Sequence, residues 1–173
     1  MVGTILIIGA KRIVNKYFAY LEFLLRHKYY VFVACMKFGV PLWQAIAHDV
    51  SKFFPDEFIP YANSHRESTT GEFYCVESEE LQLAWNLHLK RNKHHWQYWI
   101  VLNYGKTIIL RMPDWYVREL VSDWEGASKA KRNNFNPRTW YLENYKDIKM
   151  HPESKQLLEE LLAKYYPVEH KEL

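Results

Sequence analysis

The stretch Ala47–Phe54, AHDVSKFF, sets a histidine, an aspartate and a lysine into a run of otherwise apolar and small residues. Upstream, Leu42 to His48 reads as a short apolar helix, set off by Gly39 and Pro41 from a longer one over Lys11 to Phe38. In that longer segment Tyr17, Leu21, Leu24 and Leu25 recur at steps of three and four, the period of a helix with one buried face. Downstream, Pro55 followed by Asp56 and Glu57 has the form of another helix start, leading to Tyr61. The three ionisable groups therefore sit at a junction between helices, where an apolar chain gains nothing from them unless they meet partners.

The same punctuation continues. Ser64 to Glu77 is polar enough to be a loop, and Ser78 followed by Glu79 and Glu80 caps a helix running at least to Leu89. Lys90 to Lys93 reads as a turn between two helices or as a solvated segment of one long helix, the turn being preferred. Pro113 opens a helix through Trp124 closed by Gly126, Ser128 to Pro137 is a basic loop, and Pro152 to Tyr165 is a last amphipathic helix. Its apolar stripe is Leu157, Leu158, Leu161 and Leu162. No strand pattern of useful length stands out, so the expected fold class is all-α.

A chain of 173 residues fits one domain, with the core expected over about residues 11–165. Its 13 Tyr, 9 Phe and 7 Trp make that core aromatic-rich, and Trp96, Trp99, Trp115, Trp124 and Trp140 are most simply placed there. The net charge of +3 suits a small anionic ligand but not stable binding of duplex nucleic acid. Cys35 and Cys75 have no framework spacing, which fits a reducing cytoplasm, bacterial or that of a phage-infected host. The apolar opening Val2 to Ala10 is too short to span a bilayer and is expected to be the first core segment, with no membrane partner. Oligomerisation is left open.

Five histidines, His27, His48, His88, His94 and His95, lie on or beside apolar helices, whereas His65, His151 and His170 have polar surroundings. Buried imidazoles need partners, and buried carboxylates such as Asp49 and Asp123 cost several kcal/mol unless paired or metal-bound. Taken singly, each histidine is more often a hydrogen-bonded core residue than a ligand, and Asp123 alone would pair with Arg118 or Lys129. Shared divalent cations satisfy the whole set at once, because they neutralise the acids and use the imidazole lone pairs. Mixed nitrogen and oxygen ligation suits one or two ions of Mn, Fe, Co, Ni or Zn.

In chain order the residues are His27, His48-Asp49, His88, His94-His95 and Asp123. This order resembles that of the HD superfamily of metal-dependent phosphohydrolases, and within it the binuclear branch that includes HD-GYP phosphodiesterases. The segments HDVSKFFPDEF, AWNLHLKRNKHHWQYW and VSDWEGA also resemble a small uncharacterised family of bacterial and bacteriophage HD-like proteins, over most of Arg26 to Leu162. The resemblance implies a compact helical bundle of the HD-domain type. It makes His27, His48, Asp49 and Asp123 ligands of a first metal, and His88, His94 and His95 ligands of a second, with Asp49 bridging. Lys52 falls where HD-GYP proteins carry a phosphate-contacting lysine and the nucleotidase branch carries a glutamate. The GYP signature is missing and the His88 to His94 interval is compressed, so no cyclic-dinucleotide specificity follows. Glu57, eight residues after Asp49, could take the glutamate's part.

The expected activity is hydrolysis of a nucleotide or related phosphate ester by a metal-activated water, with Asp49 and Lys52 catalytic. Lys52, Asn92 and Lys93 are candidates for contacting the substrate; Lys52 equally suits a solvated helix end, and the last two a plain turn. The basic residues Lys129, Lys131, Arg132 and Arg138 are more simply a solvated run than a phosphate site. Two other readings share the ligand set: an HD-fold diiron oxygenase, and a metal-stabilised binding protein of a phage or bacterium without catalysis. None of the proposed ligands is a cysteine, which favours an open site over a closed structural one.

Overall fold

The computed structural model describes residues 2–133 and 135–167, with side chains from residue 16 onward. It is mostly helical. Helix α1 (Val2–Phe38) is followed by α2 (Leu42–Ala47), a 3-10 turn (Val50–Phe53) and α3 (Pro55–Ser64). Next come the short strands β1 (His65–Glu67) and β2 (Phe73–Cys75), then α4 (Glu79–Arg91) and a second 3-10 turn (Trp96–Trp99). Strands β3 (Ile100–Asn103) and β4 (Lys106–Ile109) lead to α5 (Asp114–Lys131), α6 (Pro137–Asn144) and α7 (Pro152–Tyr165). The expectation that Val2 to Ala10 begins the core, and His170, lie outside the described side chains.

Helix ends follow their punctuation. Gly39 adopts φ +72°, and the Val40 N–H donates to the Cys35 carbonyl at 2.9 Å, closing α1 with a left-handed cap that only a residue without Cβ enters freely. Ser78 Oγ accepts from the Leu81 N–H and starts α4. Pro137 and Pro152 open α6 and α7, each behind a capping side chain, Asn136 and His151.

Two hairpins correct the all-α expectation. β1 and β2 pair antiparallel inside the segment read as a loop, with His65 opposite Cys75. β3 and β4 pair with Ile100 opposite Ile109, joined by Tyr104 and Gly105, both at positive φ. That two-residue turn matches the right-handed twist of its strands, and β-branched residues flank it on both sides. His65, expected in polar surroundings, is instead buried among Tyr20, Phe23 and Phe73, and burial lowers its pKa to about 4.

Helix α5 does not stop at Gly126 but continues to Lys131. Glycine is there because α1 passes against it: a Cβ at position 126 would lie 2.3 Å from Val31 Cγ2 and 2.8 Å from the Val31 backbone nitrogen. The expected basic loop thus shrinks, since Ser128 to Lys131 belong to α5 and Pro137 onward to α6. The main core joins α5 and α7 to the end of α1 through Phe38, Val117, Leu120, Val121, Leu158, Leu161 and Leu162. A second cluster packs Tyr20 and Leu24 of α1 on Ala62 of α3. Among the described residues no helix is long and apolar enough to cross a membrane, and both cysteines are free thiols.

Glu125 ties these parts together. Its carboxylate accepts from Lys37 at 2.8 Å, from Lys129 at 2.5 Å and from the Tyr166 hydroxyl. Burial alone would raise its pKa, but the bonds from Lys129, Lys37 and Tyr166 hold it at about 2. The group is ionised in the folded chain at acidities that would protonate it in the unfolded one. Its stabilisation is therefore complete above an ordinary glutamate pKa of about 4.5 and fades as pH falls toward 2. Glu125→Gln should lower unfolding free energy by about 1–3 kcal/mol at neutral pH. In urea titrations the gap between variant and parent should close between pH 4.5 and 2.

Candidate metal centre

Four helical segments deliver the expected residues to one place. His27 comes from the middle of α1, His48 and Asp49 from the end of α2, His88 from the last turn of α4, and Asp123 from the middle of α5. His94 and His95 follow α4, which ends at Arg91, so Lys90 to Lys93 does contain a turn. The turn folds both rings back: the His95 and His88 ring centroids are 4.8 Å apart, and those of His94 and His48 are 4.4 Å apart. His27, His48, Asp49, His88, His94 and His95 are buried, and Asp123 is nearly so.

Asp49 is at the centre, with no exposed surface. Its backbone is left-handed, φ 54° and ψ 23°, a conformation Asp tolerates better than most residues. From this position the two carboxylate oxygens meet different sets of side chains. On the Oδ2 side stand His27 Nε2 at 3.2 Å and His48 Nε2 at 3.5 Å, with Asp123 Oδ1 3.1 Å from His27 Nε2 and 3.5 Å from His48 Nε2. On the Oδ1 side stand His88 Nε2 at 3.3 Å and His94 Nε2 at 3.5 Å, with His95 alongside. One ligand atom from each of His27, His48, Asp49 and Asp123 lies within 4.8 Å of all the others, and the same holds for Asp49, His88, His94 and His95.

Carboxylates behind the rings decide which nitrogens face inward. His48 Nδ1 lies 2.9 Å and His94 Nδ1 3.4 Å from the same oxygen, Glu119 Oε1, whose other oxygen accepts from Gln44. His88 Nδ1 lies 2.8 Å from Glu57 Oε2, and Glu57 is held by Ser51 Oγ and Arg91. A carboxylate on Nδ1 keeps the proton there and leaves the Nε2 lone pair free. The Nε2 atoms of His48, His88, His94 and His95, together with Asp49 Oδ1, are buried without a hydrogen-bond partner in the protein. Buried polar atoms are rarely left so, and here they converge. The buried His and Asp groups are thus positioned to hold a metal ion.

The electrostatics agree. Burial disfavours a charged His48, yet Asp49, Asp123 and Glu119 raise its pKa to about 10, so the acids draw positive charge to this ring and a metal ion would take Nε2 by displacing a proton. Asp49 and Asp123 resist the upward pull of burial and lie well below the usual carboxylate range, Asp49 through His48, Lys52 and His88, Asp123 through His27 and His48. Asp123 pairs with these histidines from mid-helix rather than with Arg118 or Lys129 at a helix end.

The other expected residues divide. Lys52 Nζ is 2.7 Å from Asp49 Oδ2 and also lines a cavity of about 500 Å3, which His27, His95 and Asp123 border as well. Asn92 and Lys93 are not among the residues around that cavity. Asn92 is buried, donating to Ser51 Oγ at 2.8 Å and to the His88 carbonyl at 2.9 Å, so it steadies the histidine support. Lys93 is exposed, its ammonium 5.9 Å from the Tyr98 ring. Glu57 stands behind His88 and does not face the cavity. Glu119 went unnoticed in the sequence, although its position four residues before Asp123 puts both acids on one face of α5.

Residues 16–164 match a protein family described as "Family of unknown function (DUF5662)". The chain belongs to this family. The matched span of DUF5662 includes all seven expected ligands, and the family's description assigns it no function. Comparison with curated proteins and with solved structures gives no match.

Glu119 supports one ring on each side of Asp49. Glu119→Gln should therefore weaken divalent-ion binding by about 10–100-fold, measured by competition of manganese or zinc with a chelating dye. Far-ultraviolet circular dichroism should stay helical.

Proposed function

We propose that this chain is an HD-type helical bundle that hydrolyses a nucleotide or a related phosphate ester with the help of one or two divalent transition-metal ions. The observation that carries the reading is the set of unpartnered Nε2 atoms on both sides of the buried Asp49 carboxylate, beside a cavity that Lys52 enters. The chain order of these groups resembles that of the binuclear HD enzymes. Ions bound there would supply an activated water at neutral pH and offset charge on phosphoryl oxygens.

The chain's own groups do the rest. Asp49 offers Oδ2 to the His27, His48 and Asp123 group and Oδ1 to the His88, His94 and His95 group, so it holds both halves in fixed relation. Glu119 and Glu57 keep the rings in the orientation that turns Nε2 inward. Lys52, between cluster and cavity, puts an ammonium beside the path of a phosphoryl oxygen approaching the ligands, and although burial disfavours its charge, the Asp49 carboxylate outweighs that cost and keeps it charged. A point charge so placed stabilises the transition state most if its position does not change during the reaction.

The test joins composition to turnover. Protein purified without chelator should contain a transition metal, and a panel of phosphate esters incubated anaerobically with manganese should release phosphate. Asp49→Ala should abolish release and metal retention in a chain that remains helical. Lys52→Met should cut kcat by about 10²–10³-fold with metal content unchanged. Turnover that requires oxygen and iron, or a biological effect that survives Asp49→Ala, would count against hydrolysis.

A further inference from the structure

The cavity next to the ligand cluster has a chemistry of its own. Its volume of about 500 Å3 lies within the ~300–1,000 Å3 usual for small-molecule sites. At one end it meets His27, Lys52, His95 and Asp123; beyond them the wall is mainly Phe23, Trp85, Trp96, Trp124, Phe135 and Trp140. These rings are not one packed stack. Trp124 and Trp140 meet edge to face with centroids 4.8 Å apart, so the wall presents both ring faces and ring edges. Such a surface favours a flat ring over a flexible polyol.

Charge narrows the ligand further. Among the described lining residues the cationic side chains are Lys52, at the cluster, and Lys131, which is exposed and has exposed Asp147 on the same rim. The rim therefore offers no surplus positive charge for a second or third phosphate, whereas a single phosphate meets Lys52 and the ligand cluster directly.

We infer that this cavity seats the organic body of the substrate and selects a phosphomonoester with one phosphate and a flat aromatic ring. This rests on the hydrolase reading above and specifies its substrate class. An aryl phosphate and a nucleoside monophosphate share the required chemistry, and the test separates them.

Manganese-loaded full-length protein is assayed with 1-naphthyl phosphate, adenosine monophosphate, adenosine triphosphate and glycerol phosphate. Binding of the phosphate-free bodies 1-naphthol and adenosine is followed by tryptophan fluorescence. At least one ring-bearing monophosphate should exceed glycerol phosphate in kcat/KM by about tenfold or more, and the triphosphate should fall below the monophosphate. Whichever of naphthyl and adenosine binds more tightly identifies the ring type. Trp96→Ala should shrink the ring preference severalfold while metal content stays constant. Equal rates for all esters, or a preference for the triphosphate, would overturn the cavity assignment and leave the hydrolase reading standing. Ring binding that depends on Trp96 without hydrolysis of any ester would instead overturn the hydrolase reading and the phosphate part of the assignment, and uphold the ring site.

Discussion

The structure is organised around a carboxylate that water does not reach. Removing a lone charged carboxylate from water costs several kcal/mol, and Asp49 is wholly buried. Its burial is tolerable only because imidazoles from three directions and the Lys52 ammonium surround both oxygens. That requirement fixes much else. α1 and α5 must come into contact so that His27 and Asp123 meet, α2 must end in a left-handed residue, and the chain after α4 must double back so that His94 and His95 point inward. Behind them, Glu57 and Glu119 are buried acids in turn, each held by several donors. Polar residues inside the fold thus form two layers, one aimed at the interior gap and one that aims the first.

The aromatic excess of the sequence has two uses. Phe38, Tyr141 and Tyr165 pack against helices in the main core, as a plain hydrophobic reading expects. Trp85, Trp96 and Phe135 are half-buried around the cavity, where large rings leave space between them because their planes are tilted rather than parallel. Trp124 serves both, its ring buried in the core and bordering the cavity. Trp99 and Trp115 do not reach it.

Helix starts and stops were legible where a residue type carries the signal alone: Gly39 before Pro41, Ser78 before two acids, Pro152 at the head of a leucine stripe. The ends of α7 agree with the sequence residue for residue. Gly126 misled because glycine marks two things, a chain end or a close approach, and only the position of Val31 tells them apart. The hairpin at Tyr104-Gly105 was readable from its turn and its β-branched flanks but is short and largely exposed, so it leaves no long alternating pattern. At the centre, the meeting of five histidines and two aspartates followed from what isolation would have cost them. The supports did not, since a glutamate behind a histidine looks in sequence like any helix-surface acid until the fold buries it.

The contact between Gly126 and Val31 has a bearing beyond packing. Val31 is four residues after His27 and Gly126 three after Asp123, so each lies one helical turn from a member of the buried cluster on the same face of its helix. The missing side chain works as a spacer of fixed gauge, setting the distance across which an imidazole and a carboxylate must face each other. Even one methyl group inserted there would open the jaws at the far end of the same turn, and a residue without chemistry of its own thereby calibrates the reach of two that have it.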